Sequence, residues 1–256
     1  MDIRIVTLFP EMVAAALRFG VCGRALRRNL FSLGTDNPRE YAVDAHRTVD
    51  DRPYGGGPGM VLKVEPFRAA VRAARARLPE GSPVIFLTPQ GRRFDQHLAR
   101  ELGALPGMAL VAGRYEGFDE RLLEAEADDE ISLGDFVLSG GEIAAVAIID
   151  AIVRLRPGAL GDEASAADDS FSDSLLDCPH YTRPETVDGM AVPQVLLGGD
   201  HEQIRRWRLK QALGRTCARR PDLLANRPLT GEEQHLLQEF LAESQQAQQS
   251  LNEQNG

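Results

Sequence analysis

Short apolar runs alternate with helix-period segments through the first 155 residues, and this alternation leaves the chain few architectures. The runs IRIVTL (3–8), VIFLT (84–88), ALVAG (109–113) and ISL (131–133) are short and mostly β-branched or aliphatic, the pattern of buried strands. Helical periodicity falls near 10–18, 65–78, 95–103, 117–125 and 142–156. Strands alternating with helices predict an α/β fold, a mainly parallel sheet with helices on both faces. Ligands in such sheets gather at the loops that leave the carboxyl ends of the strands.

The pattern breaks at GALGDEASAADDSFSDS (158–174), which is small, polar and acidic. Such a stretch buries too little apolar surface to fix its own conformation, so it reads as a linker. Beyond it the spacing predicts helices over 200–213, 221–226 and 230–243, the last opened by Thr230 and Glu233 at capping-box spacing. The final QQAQQSLNEQNG carries almost no apolar residue and is expected to fray. The domain plan is therefore 1–160, a linker over 161–173, a small helical domain over 174–244 and a disordered tail over 245–256.

No apolar run approaches the ~20 residues that span a bilayer, so no membrane partner is expected. The opening MDIRIVTLFP mixes charges into its apolar stretch, unlike a signal peptide. Three cysteines, Cys22, Cys178 and Cys217, make no disulfide framework and fit a reducing cytoplasm. Cys178 and His180 lie two apart, but no second pair completes a zinc set, and no metal ligands are assigned. Net charge is −9, yet its distribution is uneven. Eight acids and one arginine crowd 116–130, whereas 200–230 holds eight bases and three acids, a local net of +5. That basic stretch is either a solvated helical face or a footprint for nucleic acid.

Four glycine-rich segments stand out. PYGGGPGM (53–60) has neither the lysine of a phosphate loop nor the spacing of a dinucleotide fingerprint. It is a tight turn or a binding loop. The other three follow predicted strands: Thr88-Pro89-Gln90-Gly91, Gly113 to Gly117, and Leu133 to Gly141. Together at one sheet edge they form a pocket suited to a flat heterocycle. Arg154, at the end of an apolar helix, has the ordinary role of meeting terminal carbonyls. Asp169, in the linker, has the ordinary role of a solvated acid.

Taken together, PYGGGPGM (53–60), TPQGRRFDQ (88–96), GRYEGFDER (113–121), ISLGDFVLSGGE (131–142), DSFSDSLLDCPHYTRPE (169–185) and RRWRLKQALGRTCARRPDLL (205–224) closely resemble the bacterial tRNA (guanine-N(1)-)-methyltransferases of the knotted SPOUT class. The resemblance runs from residue 1 to about 240. It implies a deep trefoil knot, a homodimer with active sites shared between subunits, and S-adenosylmethionine as methyl donor, with magnesium assisting. The implied substrate is the guanosine at tRNA position 37, beside the anticodon.

By the same resemblance, the cofactor contacts fall on Phe86, Leu87, Thr88, Pro89, Gln90 and Gly91 in the first loop. Gly113, Tyr115 and Glu116 supply the second loop. Ser132, Leu133, Gly134, Asp135, Phe136, Val137, Leu138, Gly140 and Gly141 supply the third. Phe86 and Phe136 stand where tyrosine is common in that family. Pro58, Gly59, Asp177, His180, Tyr181, Arg183, Trp207 and Arg208 are the implied tRNA contacts. Asp169 is the implied general base for the proton on guanine N(1), and Arg154 the cation that meets charge developing on the ring oxygen. Two other readings compete: a related RNA methyltransferase, and a non-catalytic tRNA-binding protein that uses the basic helices alone.

Overall fold

A computed structural model describes residues 1–161, 169–225 and 227–254. The heart of the linker, 162–168, and the last two residues of the expected tail lie outside the described residues. The chain divides into two compact units, Met1–Glu163 and Ala164–Gly256.

The first unit is built on five strands: β1 (Asp2–Val6), β2 (Ser32–Asp36), β5 (Val84–Arg93), β6 (Gly107–Ala112) and β7 (Asp129–Ser132). Every pairing is parallel, in the order β2-β1-β6-β5-β7. Strand periodicity sorts the side chains between two cores. Ile3, Ile5, Ile85, Leu87, Met108 and Leu110 face one way. There they meet α1 (Pro10–Leu17), α2 (Gly20–Arg27), α4 (Gln96–Gly103) and α6 (Gly141–Val153). Val6, Val84, Phe86, Ala109 and Val111 face the other way, onto α3 (Val64–Arg75) and α5 (Glu120–Glu126). The expected helix-covered parallel sheet is thus present.

Two elements were missed in the sequence. Strand β2, SLGTD, has no apolar alternation because it is an edge held by polar groups. Arg4 on β1 donates to the buried Asp36 carboxylate at 2.7 Å, and Arg77 reaches the same group. Helix α2 is short and carries two glycines, but it buries Cys22 and Ala25. Two ribbons also escaped notice, β3 (Asp50–Asp51) with β4 (Val61–Leu62), and β8 (Thr186–Val187) with β9 (Met190–Ala191).

Strand β5 runs five residues past the expected Thr88, and this departure shapes the site. Leu87 and Arg92 both pair with Ile131 of β7, so residues 88–91 are pushed out of the ladder as a bulge. Gly91 closes it: a Cβ there would strike the backbone of Glu130 and Ile131. Helix α6 ends at Val153, which makes Arg154 its C-cap rather than part of its last turn.

In the second unit, Asp200 caps α7 (His201–Arg219) by accepting from the amides of Glu202 and Gln203. Helix α8 (Pro221–Ala225) follows, then α9 (Gly231–Gln254). The capping box forms: the Thr230 amide donates to Glu233 at 2.8 Å, and the Glu233 amide donates to Thr230 Oγ1 at 3.2 Å. Helix α9 extends to Gln254, eleven residues beyond the predicted 243. Glutamine, glutamate, alanine and leucine have high intrinsic helix propensity. Leu175, Ala212, Leu213 and Leu236 form this unit's small core.

Candidate functional site

At the carboxyl ends of β5, β6 and β7 the three glycine-turned loops enclose a cleft of about 320 Å³, within the usual range for small-molecule sites. The bulge contributes Thr88, Pro89 and Gln90. The second loop contributes Gly113 to Gly117, and the third runs from Ser132 to Gly141. Apolar surface comes from Leu87, Ile131, Leu133, Leu138 and Ala144.

Backbone contacts lock these walls to one another. The Gly141 amide donates to the Gly113 carbonyl at 2.8 Å, and Arg114 bridges to Gly140. A Cβ on Gly141 would lie 2.8 Å from Ala112 Cα, so only glycine lets the third loop approach this closely. Ser132 Oγ donates to the Gly134 carbonyl and accepts from its amide, which closes the turn below Phe136. The PYGGGPGM loop docks on the second loop: the Glu116 amide donates to the Met60 carbonyl at 3.0 Å. A Cβ on Gly59 would collide with the Glu116 side chain. The result is a half-open cleft with apolar side chains and backbone polar groups on its walls.

The second unit holds another concavity, of about 600 Å³. It is lined by Pro179 to Arg183, Glu185, Val192, Leu196, Leu197, Ile204 and Arg208. His180 Nε2 lies 2.7 Å from Asp177 Oδ2. Burial opposes ionisation of Asp177, but bonds from His180 and the Cys178 amide more than offset it and hold the carboxyl below its usual range. Burial and the Asp177 charge push the Cys178 thiol up. Asp177, Cys178 and His180 are the one grouping of three such side chains among the described residues whose ligand atoms approach within 4.8 Å. A protonated thiol, an imidazole and one carboxylate do not suit magnesium, which prefers oxygen ligands, and no magnesium is assigned to them. Tyr181 packs near Trp207 with ring centroids 6.3 Å apart. Of the eight bases over 200–230, Arg205, Arg206, Lys210, Arg220 and Arg227 have acidic partners, so much of the basic stretch is internally balanced.

Residues 1–226 match the family model described as tRNA (Guanine-1)-methyltransferase TrmD. The chain is similar over most of its length to proteins named tRNA (guanine-N(1)-)-methyltransferase. That of Hahella chejuensis is 60% identical, covering 92% of each chain. That of Shewanella amazonensis is 57% identical, covering 96% of this chain and 98% of the relative. That of Serratia proteamaculans is also 57% identical, covering 97% and 98%. The chain belongs to the tRNA (guanine-N(1)-)-methyltransferase family.

For this methyltransferase, most of the expected cofactor residues converge on the cleft. Leu87, Thr88, Pro89, Gln90, Gly113, Tyr115, Glu116, Ser132, Leu133, Phe136, Val137, Leu138, Gly140 and Gly141 all line it. Four do not: Phe86, Gly91, Gly134 and Asp135. Phe86 points into the opposite core and meets Phe118 edge-on at 4.9 Å, because adjacent strand residues face opposite ways. Gly91 and Gly134 shape their loops from behind. Of the expected tRNA contacts, His180, Tyr181, Arg183 and Arg208 share the second concavity, Asp177 holds His180, and Trp207 stands beside Tyr181. Pro58 and Gly59 belong to the first unit, beside the cleft's second loop. Arg154 falls in the first unit and Asp169 in the second; both are half-buried.

Sequence reasoning missed Arg114, Glu142 and Thr7. Arg114 lines the cleft, and its Nε donates to Glu142 Oε2 at 2.9 Å. Glu142 is wholly buried, and its other oxygen accepts from Thr7 Oγ1 at 2.9 Å. The signal was an acid placed directly after Gly140-Gly141 at the head of an apolar helix, where a carboxylate can be buried only with a partner.

Proposed function

We propose that this methyltransferase transfers a methyl group from S-adenosylmethionine to N(1) of the guanosine at position 37 of tRNA. The observation that carries this reading is the cleft of interlocked loops at the carboxyl edge of a parallel sheet, in a chain of this family. The donor supplies a methyl group already activated by its sulfonium charge. The protein's task is alignment more than activation, and a rigid slot serves that end.

Guanine N(1) is a poor nucleophile while protonated. Asp169 takes that proton as general base, and the Arg154 guanidinium stabilises the negative charge that then develops on the ring oxygen. Asp177, His180, Tyr181, Arg183, Trp207 and Arg208 hold the anticodon arm through phosphate and unstacked-base contacts, with Pro58 and Gly59 close to the reacting purine. The surface pairs on α7 favour this role, because exposed ion pairs are weak and exchange readily for phosphate.

The protein works as a homodimer with a trefoil-knotted cofactor domain and with each active site drawn from both subunits. Partly or largely exposed Phe9, Met12, Phe19 and Ile143 on or beside α1, α2 and α6 supply apolar surface for that association. No helix among the described residues is long and apolar enough to cross a membrane, and the cytoplasm is the proposed compartment. Methyl transfer to a tRNA transcript tests the reading. A transcript with guanosine at position 37 should yield 1-methylguanosine, and one with adenosine there should stay unmodified; equal labelling of both would refute the assignment.

A further inference from the structure

The cleft wall contains a charge that a site for a cationic ligand would ordinarily avoid. Arg114 lines the cleft, its guanidinium stacks over the Phe9 ring at 4.5 Å, and its Nη1 donates to the Ser139 carbonyl at 3.3 Å. It ties the second loop to the third. A fixed guanidinium here repels any ligand that carries a positive charge nearby.

Glu142 removes that problem. Its carboxylate is wholly buried in the first turn of α6, where the helix dipole favours an anion. Both oxygens are engaged, one by Arg114 Nε and one by Thr7 Oγ1, which itself accepts from the Phe9 amide at 3.0 Å. The pair is held tightly: a Cβ on Gly140 would lie 2.6 Å from Glu142 Oε2. A buried, doubly bonded carboxylate stays beside its cation whatever enters the cleft.

We propose that Glu142 is the counter-charge that lets Arg114 build the cleft wall without repelling a sulfonium ligand, so that this pair sets the preference of the cleft for the methyl donor over its neutral thioether product. The inference rests on the reading of the cleft as the S-adenosylmethionine site. Glu142 acts through Arg114 and is a positioning residue. Donor and product differ by a methyl and one positive charge, so their affinity ratio reports the local field. Loss of shape alone weakens both ligands by the same factor.

The test is calorimetric titration of the full-length protein with S-adenosylmethionine and with S-adenosylhomocysteine. Glu142→Gln keeps the side chain's size and removes the buried ion-pair partner of Arg114, while Glu116 and Glu120 still line the cleft in every variant. It should weaken the donor on the order of tenfold more than the product, an excess that shrinks as salt is raised. Arg114→Gln should move the ratio the opposite way, and the double variant should return it to the wild-type value. Equal losses for both ligands in both single variants would overturn the proposal and leave the pair a purely structural staple. Should Glu142→Gln fail to fold, Arg114→Gln decides alone: an unchanged ratio overturns the proposal. Binding of neither ligand by the wild-type protein would instead remove the cofactor reading itself, and that outcome is distinct because it is read before any variant is made.

Discussion

The cleft proposed for the methyl donor in the first unit and the concavity proposed for tRNA in the second are built in opposite ways. The cleft is framed by backbone: the loops that carry its lining side chains are bonded to each other at Gly113, Arg114, Gly140 and Gly141, and glycine permits their approach. The concavity is made of side chains: a His180–Asp177 pair, an aromatic neighbour, Arg183, and Arg208 from a helix on which Arg205, Arg206 and Lys210 have acidic partners. A backbone-built site is fixed before its ligand arrives, which suits a small molecule of one shape. A side-chain-built site can rearrange, which suits a large polyanion held at many points. The two should therefore fail differently when damaged.

Asp169 is the sharpest challenge to that division, since it lies in the second unit yet is assigned to chemistry. Asp169→Ala should lower single-turnover methyl transfer by about 10³-fold, with S-adenosylhomocysteine affinity unchanged. A proportionate loss of cofactor binding would return Asp169 to a structural role. Next in size is Gly141→Ala, which forces a methyl group toward Ala112 Cα and displaces one wall. Cofactor affinity should drop by about a hundredfold, as small misplacements in a rigid site do, while the salt dependence of tRNA binding stays the same. Loss of tRNA binding instead would show that the two regions are not independent.

Arg208→Ala probes the other side. It should weaken tRNA binding by about tenfold and reduce the slope of affinity against salt by about one, leaving cofactor affinity intact. The smallest effect concerns the frame of the second unit. Thr230→Ala removes half of the capping box and should cost about 1 kcal/mol in thermal unfolding. A hydrogen bond from Arg227 leads the causes that hold the Glu233 carboxyl below 4.5. Its folded value is depressed, so the stability it contributes is present above the ordinary glutamate range. That stability is lost as pH falls through the depressed value. Glu233→Gln should flatten that acid limb, and an unchanged acid profile would show that the pair is too weak to matter.

The backbone-built region was also the more legible one in the sequence. Strands such as VIFLT and ALVAG are buried on both sides, and a buried strand is written directly in its apolar run. Glycine spacing marked all three cleft loops for the same reason, because a turn or close approach leaves few residue choices. What stayed hidden depends on partners distant in sequence. Strand β2 is an edge stabilised by Arg4 and Arg77 on Asp36, and nothing local in SLGTD announces that. Strand alternation turns the Phe86 side chain into the core opposite the cleft, while its neighbour Leu87 lines it. Glu142 needs Thr7, 135 residues earlier, to be understood. The extent of α9 was lost because a polar helix has no apolar stripe to count.

The bulge in β5 has a mechanical consequence. Its chain leaves and rejoins the sheet at a single neighbour, Ile131, so it forms a handle fastened at one point instead of a flap on a hinge. Its two ends are fixed in the ladder when the protein folds, so that part of the ordering cost is not met again when a ligand binds. Residues could be inserted at its crest without sliding the strands beneath, which makes this rim the place where a new ligand preference could arise while the sheet stays as it is.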